Sequence, residues 1–403
     1  MKLNRRTFLS LTAGLSASHM ALGAPSPSDK QPDSRFLLVF LRGGYDAMSL
    51  LVPTQSDFYR ETRPHIALRA EGAQGALPLD GQWALHPAVA TKLQPLWAKK
   101  QLAFVPFAGT SDTSRSHFET QDSIELGQPL DRQRDFNSGF LNRLAQQLQT
   151  AHTPGAFEAM SFTDQLPTVF RGPASIPNLT LKGGLGKDIP PRMQNAVAEM
   201  YAHHPLGSKV QEGFEVREQV MQDFAAEMDA ASRRAINATA FEGQARRMGR
   251  LMRERYALGF IDVGGWDTHV NQGAETGYLA TQLGNLAQGL VALSEELGES
   301  AWQKTTVVVI SEFGRTLREN GNRGTDHGHG SVYWVLGGGI RGGQVAGEQQ
   351  TIEARTLFQN RDLPVLNDYR SLLGGLFQRQ FGLSGQALGN IFPQARPIDI
   401  GLI

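Results

Sequence analysis

Four short apolar runs are the feature that most limits what this chain can fold into. Each run is nearly continuous, with no alternation of apolar and polar residues. A strand with one face in water alternates, whereas a strand of a parallel sheet covered by helices is apolar on both faces. The sequence therefore predicts an α/β fold with a mainly parallel central sheet. The runs are Phe36–Leu41, Leu102–Phe107, Tyr256–Val263 and Thr306–Ile310.

Helix-like segments separate these runs, which is the order that βαβ units require. Between about residues 193 and 255 the chain is rich in Glu, Gln, Ala, Arg and Met, and this composition predicts a helical insertion. We expect one α/β domain over residues 34–403, interrupted by that insertion, with a further strand at Val332–Leu336. The helix-like segments are Ala88–Lys99, Ser116–Glu125, Tyr278–Leu297 and Asp368–Phe381.

The first 24 residues are typical of an export signal. Arg5 and Arg6 precede a modest apolar stretch, and small residues follow near Ala24. Paired arginines followed by Phe8-Leu9 match the twin-arginine pattern, although a chance pair in a general secretory signal has the same appearance. The stretch is too polar and too short for a stable membrane span. We therefore expect a signal peptide over 1–24, a tether over 25–33, and periplasmic location by way of the twin-arginine export machinery.

Composition excludes several kinds of site. The chain has no cysteine, so disulfides, thiolate ligands and a sulfur nucleophile are excluded. The 39 basic and 39 acidic residues balance, and loss of the signal leaves the chain slightly acidic. No basic patch of the kind that binds nucleic acid is evident. Any bound metal must be held by Asp, Glu, His, Ser or Thr side chains.

Each apolar run leads into polar side chains. In open α/β sheets, ligands bind beyond the carboxyl ends of the strands, so we expect these side chains to form one composite site. The residues are Arg42 and Asp46 after the first run, Asp112 to His117 after the second, Asp267 and His269 after the third, and Glu312 and Arg315 after the fourth.

A glycine-rich segment, Gly324–Gly330, follows the fourth run and carries Asp326, His327 and His329. Carboxylate oxygen suits hard cations and imidazole nitrogen suits zinc, so this segment predicts a divalent metal site. Glycines on both sides allow the backbone to turn tightly. A polar surface loop is the simpler alternative for the segment taken alone.

Two of these residues have capping alternatives. Ser116 stands where a helix N-cap is expected, with Glu119 three residues later, and a capping box would explain it. The same position would welcome a phosphate or sulfate, because unpaired amides and the helix dipole favour an anion there. Asp46 could cap a helix that begins at Ala47.

Five blocks carry a resemblance to a known family. In order they are RGGYD, SRSHFETQD, GGWDTHVNQ, SEFGRT and GTDHGHGS, within Phe36 to about Phe381. They resemble an exported bacterial family, the domain-of-unknown-function 1501 family, which is placed in the alkaline phosphatase–sulfatase superfamily. The resemblance implies an alkaline phosphatase-like α/β fold and one or two divalent metal ions, zinc or manganese.

The resemblance also implies roles for individual residues. Asp46 and the pair Asp326-His327 match the first metal's ligands, and Asp267 matches the acidic ligand of the second. His269 and His329 are the remaining imidazoles for the second metal. The nucleophile would be Ser116, or Thr113 in the register of the phosphopentomutase block, or there is no covalent nucleophile.

We therefore expect an exported metal-dependent hydrolase of a small phosphate or sulfate ester. Arg315, with Arg42, would hold the oxygens of the substrate, or Arg315 would pair with Glu312. His117 would orient the nucleophile or protonate the leaving group. The alternative is a non-catalytic periplasmic protein that binds a metal or an anion, or serves as an assembly partner, on the same fold.

Overall fold

The computed structural model describes residues 34–69, 75–151, 157–179, 232–233 and 235–403. The expected signal peptide and tether, and most of the expected helical insertion, lie outside the described residues. The strands are β1 Arg35–Leu41, β2 Leu51–Pro53, β3 Leu77–Pro78, β4 Trp83–Leu85, β5 Leu102–Gly109, β6 Glu158–Ser161, β7 Ile236–Asn237, β8 Tyr256–Gly264, β9 Thr305–Ser311, β10 Ser331–Leu336, β11 Gln344–Val345 and β12 Asn367–Asp368.

The central sheet has the order β11-β5-β10-β9-β1-β8-β6, with β12 beside β5 and β7 beside β8. β1 lies parallel to both β8 and β9, and β6 is parallel to β8. β10 is antiparallel to both of its neighbours, β5 and β9. The prediction of a mainly parallel α/β sheet is confirmed. β2, β4 and β3 form a small separate antiparallel sheet.

Helices cover both faces of the central sheet. The described α-helices are α1 Ala47–Leu50, α2 Asp57–Thr62, α3 Pro87–Ala98, α4 His117–Leu126, α5 Phe140–Ala151, α6 Phe241–Glu254, α7 Tyr278–Trp302, α8 Tyr369–Phe381 and α9 Gly385–Ile391. Successive residues of β1 point to opposite faces: Leu37 and Val39 join one core with α3, α6 and α7, whereas Phe36 and Leu38 join the other with α5, α8 and α9. Because both faces of β1 are buried, its residues from Phe36 to Leu41 are all apolar.

The helices predicted from the sequence are present within a few residues of their expected bounds. Pro87 is the first residue of α3, and Ser116 is the N-cap of α4. Of the expected insertion, α6 falls within the described residues and is an amphipathic helix. Among the described helices, none is both long enough and apolar enough to cross a membrane.

The antiparallel direction of β10 decides where the glycine-rich segment lies. β1, β5, β8 and β9 run in one direction, so the chain leaves all four at the same edge of the sheet. β10 runs the other way, and the chain therefore enters β10 at that edge. Gly324–Gly330 immediately precedes β10. Residues before β10 and residues after the parallel strands are thus brought together.

Candidate metal centre

Two imidazoles and one carboxylate from three different loops meet at this edge. Ligand atoms of His117, Asp267 and His327 all lie within 4.8 Å of one another. His117 Nε2 is 2.9 Å from His327 Nε2 and 3.5 Å from Asp267 Oδ2. His327 Nε2 is 3.3 Å from Asp267 Oδ1. His117 is the first residue of α4, Asp267 follows β8, and His327 precedes β10.

A third imidazole faces the same point. His269 Nε2 is 2.8 Å from Asp267 Oδ1 and 3.1 Å from His327 Nε2. Three Nε2 atoms and one carboxylate therefore converge. Neutral imidazoles brought together through their lone pairs repel one another unless a proton or a cation lies between them.

The opposite nitrogen of each imidazole lies beside an oxygen. His117 Nδ1 is 2.8 Å from Glu312 Oε1, and His327 Nδ1 is 3.0 Å from the carbonyl oxygen of Arg115. His269 Nδ1 lies 3.4 Å from Asp326 Oδ1. Histidines that bind metals donate Nδ1–H to a carboxylate or a carbonyl in this way, which leaves Nε2 directed at the ion.

The carboxylate of Asp267 has one oxygen without a hydrogen bond. Oδ1 accepts from Arg315, whereas the buried Oδ2 has no hydrogen-bond partner among the described residues. Burial raises the pKa of Asp267, but the neighbouring Arg315 guanidinium and the imidazoles more than offset this, and the pKa lies far below its usual range. An ionised, buried carboxylate with a bare oxygen fits a cation.

Either a proton or a divalent ion can occupy this arrangement. Burial lowers the pKa of His117, but the neighbouring carboxylates of Asp267, 3.5 Å from Nε2, and Glu312, 2.8 Å from Nδ1, outweigh it and raise the pKa to about 9. Without metal, His117 is therefore an imidazolium at neutral pH, and a metal ion would displace its proton. The donor set of imidazole and carboxylate suits zinc and related transition metals. His117, Asp267 and His327 could hold the ion, with His269 as a fourth donor.

The structure places Asp46 in a different setting from the one expected. Both of its carboxylate oxygens bind the buried guanidinium of Arg63, at 2.6 and 3.0 Å. Asp46 also caps α1 by accepting from the amide of Met48, so the capping alternative is confirmed. It is not a member of the group formed by His117, Asp267 and His327. A carboxylate already neutralised by a guanidinium has little to offer a metal ion.

Asp46 instead supports the loops of the centre through Gln272. The amide nitrogen of Gln272 donates to Asp46 Oδ2 at 2.7 Å, and its oxygen accepts from the hydroxyls of Thr268 and Thr325, each at 3.1 Å. Thr268 precedes His269, and Thr325 lies two residues before His327. The side chain of Gln272 thereby ties two loops that supply imidazoles to the Asp46–Arg63 pair.

Arg315 also differs from expectation. Its guanidinium is fully buried and donates to the carbonyls of Gly43, Gly44 and Thr325 as well as to Asp267. Neither of the roles predicted for Arg315, a clamp on a substrate oxyanion or a partner of Glu312, matches these contacts. The carboxylate of Glu312 binds His117 instead.

Arg42 is likewise committed inside the protein. It donates to Asp262 at 2.6 Å and to Gln121 and Glu125 at 2.8 Å. The neighbouring Glu125 and Asp262 raise the pKa of Arg42 against the effect of burial, so the guanidinium stays charged. These buried contacts do not match the predicted role of Arg42, which was to hold oxygens of the substrate.

Two further residues expected among the ligands lie outside the group. The Asp326 side chain is about half exposed, at 51%, and contacts His269 and Asn320. His329 packs against Phe358 with ring centroids 4.8 Å apart, and burial lowers its pKa to about 4. The roles of Asp326 and His329 as metal ligands remain predictions from the sequence.

The candidate nucleophiles lie on the approach to α4. Ser116 is half-buried, and its hydroxyl accepts from the amide of Glu119 at 3.5 Å, the outer limit of a hydrogen bond. Thr113 is exposed. Neither is among the grouped ligand residues, and the choice between them stays open.

Two residues of this site were not predicted from the sequence, and a third was predicted without its role. Arg63 lies outside all the polar clusters, and no local pattern marks it as the partner of Asp46. Gln272 falls within the block GGWDTHVNQ but was not singled out. Glu312 was expected at this edge of the sheet, but the only partner predicted for it was Arg315. The one available signal was position, since Gln272 and Glu312 both follow strands that end at this edge.

A family model described as "Protein of unknown function (DUF1501)" matches residues 33–392. The chain belongs to that family. The match confirms the resemblance based on the five sequence blocks. No curated protein matches the chain.

Two solved structures show a distant similarity. One is described as a protein in the alkaline phosphatase superfamily from Vibrio parahaemolyticus, with 12% identity, 83% of this chain and 69% of that chain covered, and a TM-score of 0.37. The other is described as Ps i-CgsB, with 10% identity, 91% and 75% covered, and a TM-score of 0.38. The α/β fold is defined by the strands and helices described above.

The buried Asp46–Arg63 ion pair should contribute strongly to the free energy of unfolding. Replacing Arg63 with Met leaves a buried carboxylate without its cation, and we expect a loss of about 3–5 kcal/mol in the free energy of unfolding. Urea unfolding followed by circular dichroism measures this loss. Arg60→Met is the control, because the exposed Arg60–Asp57 pair contributes only about 0–1 kcal/mol. Equal losses in the two variants would contradict the assignment.

Protonation of His117 predicts how stability depends on pH in chelator-treated protein. Its pKa is about 9 in the folded state and 6.5 in the unfolded state, so its contribution is complete below pH 6.5 and is lost as pH rises through 9. Thermal unfolding between pH 6.5 and 9.5 should therefore show a falling Tm. His117→Asn should flatten that slope. With zinc bound the slope should reverse, because metal binding releases protons.

Proposed function

We propose that this protein is an exported metal-dependent hydrolase that acts on phosphate or sulfate esters. One observation carries the proposal: three imidazole Nε2 atoms converge on the Asp267 carboxylate, whose Oδ2 is buried without a hydrogen bond. The resemblance to the alkaline phosphatase–sulfatase superfamily supports the reaction class by analogy.

His117, Asp267 and His327 would hold the metal ion, with His269 beside them. A bound divalent ion supplies Lewis-acid chemistry, since it polarises an ester oxygen and makes a bound water more acidic. Glu312 and the carbonyl of Arg115 keep two of the imidazoles turned towards the centre. Arg315 keeps Asp267 ionised.

The position of the amino terminus of α4 supports the proposal that the substrate is an anion. His117 is the first residue of this ten-residue helix, so the first backbone amides, which lack partners within the helix, lie beside the imidazole cluster. Helix amides and the helix dipole favour an anion there. The hydroxyl of Ser116 stands at the same terminus, and its long contact with Glu119 leaves it available as a nucleophile. Thr113, or direct attack by water, remains the alternative.

A second candidate is a non-catalytic metal-binding protein of the periplasm. One observation favours it. Arg42 and Arg315, the two guanidiniums expected to hold the oxygens of the substrate, are both buried and fully engaged with protein carboxylates or carbonyls. A phosphatase or sulfatase that lacked them would depend on the metal ion and the amides of α4 to stabilise negative charge.

Variants of single residues separate the two candidates. We expect the mature protein to bind about one zinc or manganese ion per chain, because the described residues form one such group. His327→Ala should lose both metal and turnover of aryl phosphate or sulfate esters. Ser116→Ala should lose turnover alone, with a stability cost of about 1 kcal/mol from the lost cap. Metal content by mass spectrometry and a panel of ester substrates give the two readouts.

His329→Ala is the matched control for that experiment. His329 lies in the same segment as His327 but packs against Phe358, so its removal should leave metal content unchanged. Metal without turnover on any ester supports the non-catalytic candidate. Absence of metal from the purified protein, even after zinc or manganese is added, would exclude both.

We also propose that the chain is exported folded by the twin-arginine route, on the strength of Arg5-Arg6-Thr7-Phe8-Leu9. Replacing both arginines with lysine should leave the precursor in the cytoplasm, because the export machinery reads the arginine pair. Fractionation followed by immunoblotting measures the distribution. Export of the double variant at the normal level would defeat this part of the proposal.

A further inference from the structure

We propose that Glu312 is the positioning residue of the candidate metal centre, and that Gln121 holds Glu312 in place. Glu312 would act through His117, whose Nε2 it keeps directed at Asp267 and His327. The inference rests on the metal site of the proposed function and does not depend on ester hydrolysis.

The carboxylate of Glu312 is fully buried and lies close to four donor groups. Its Oε1 accepts from the amide of Gly43 at 2.8 Å, from His117 Nδ1 at 2.8 Å and from Gln121 Nε2 at 2.9 Å. Its Oε2 lies 2.9 Å from the hydroxyl of Ser311, whose single proton is shared with the carbonyl of Leu41 at 2.6 Å. The three donors to Oε1 come from different parts of the chain and leave the carboxylate one orientation.

That orientation determines whether a nitrogen of His117 faces the centre. Turning a histidine ring over puts a ring carbon where each nitrogen was, and a neutral ring carries its proton on either Nδ1 or Nε2, so the hydrogen bonds of the ring decide both its orientation and its tautomer. An ionised carboxylate beside one nitrogen requires the N–H there, and the other nitrogen then points at His327 Nε2, 2.9 Å away. Phe313 packs against the ring at 4.9 Å between centroids but cannot distinguish the two orientations, since an aromatic face offers no acceptor of comparable strength.

Gln121 extends the constraint into the core. Its amide oxygen accepts from Arg42 at 2.8 Å, so its nitrogen must face Glu312. Arg42 is in turn fixed by Asp262 and Glu125. The buried chain from Asp262 through Arg42 and Gln121 to Glu312 connects strand β8 to the imidazole of His117.

Glu125 provides a matched control within this network. It is as buried as Glu312, it lies on α4 with Gln121 and His117, and it binds Arg42 at 2.8 Å. It has no contact with the imidazoles in the hydrogen-bond network of the described residues. Replacing Glu125 therefore measures the effect of removing a buried carboxylate in general. Replacing Glu312 measures that effect together with the loss of ligand positioning.

The experiment measures zinc affinity by competition with a chelator, on full-length mature protein. Glu312→Ala should weaken zinc binding about 10–100-fold, the usual effect of losing such an outer partner. Glu312→Gln retains an oxygen acceptor and should restore most of that affinity. Glu125→Gln keeps an oxygen acceptor for Arg42, and Asp262 still binds that guanidinium, so this variant should destabilise the fold without changing zinc affinity. The visible spectrum of the cobalt-substituted protein should change in Glu312→Ala and not in Glu125→Gln.

Zinc affinity of Glu312→Ala within about twofold of the parent, with an unchanged cobalt spectrum, would overturn the inference. If Glu312→Ala does not fold, Gln121→Leu takes its place: weaker zinc binding supports the inference and unchanged binding overturns it. Failure of the parent protein to bind zinc or cobalt would overturn the metal centre itself. Tight metal binding without ester turnover would instead defeat the hydrolase and leave the role of Glu312 standing.

Discussion

The buried guanidinium of Arg315 holds together the loops on which the rest of the site depends. It reaches the carbonyls after β1, the carboxylate after β8 and the carbonyl of Thr325 before β10. A guanidinium offers five N–H donors in a rigid plane, so a single side chain can fix several backbone segments at once. Without it, Asp267 would lose its guanidinium partner, and the loops that carry the imidazoles would lose their common anchor.

The same principle accounts for the other carboxylates at this edge. Asp46 is neutralised by Arg63, whereas Asp262 and Glu125 share the single charge of Arg42, and burial raises the pKa of Asp262. Taking a carboxylate out of water costs several kcal/mol unless a cation and hydrogen bonds compensate for it. Glu312 is the exception, because its charged partner is the imidazole of His117. The centre therefore forms where imidazoles meet the buried carboxylates of Glu312 and Asp267.

This distribution of charge connects the fold to its function. Arginines that are already paired cannot hold a substrate, so the chemistry of the site rests on the imidazole cluster and the amino terminus of α4. A proton on His117 balances the cluster when no metal is present, and a divalent ion would take over that role. Metal binding at this centre would therefore release that proton. Both proposed functions, the hydrolase and the non-catalytic metal-binding protein, would use this centre.

The sequence by itself determined the parallel strands, their common edge and the polar residues that gather there, because continuous apolar runs and the clusters after them are local patterns. It also placed Ser116 at a helix N-cap and indicated His117, Asp267, His269 and His327. Only the tertiary structure decided which of these meet. Asp46 pairs with Arg63, and Asp267 pairs with Arg315. In each case the buried carboxylate binds the guanidinium that the folded loops bring within hydrogen-bonding distance. These ion pairs join residues that are far apart in the chain, such as Arg42 and Asp262, and no local sequence pattern predicts them.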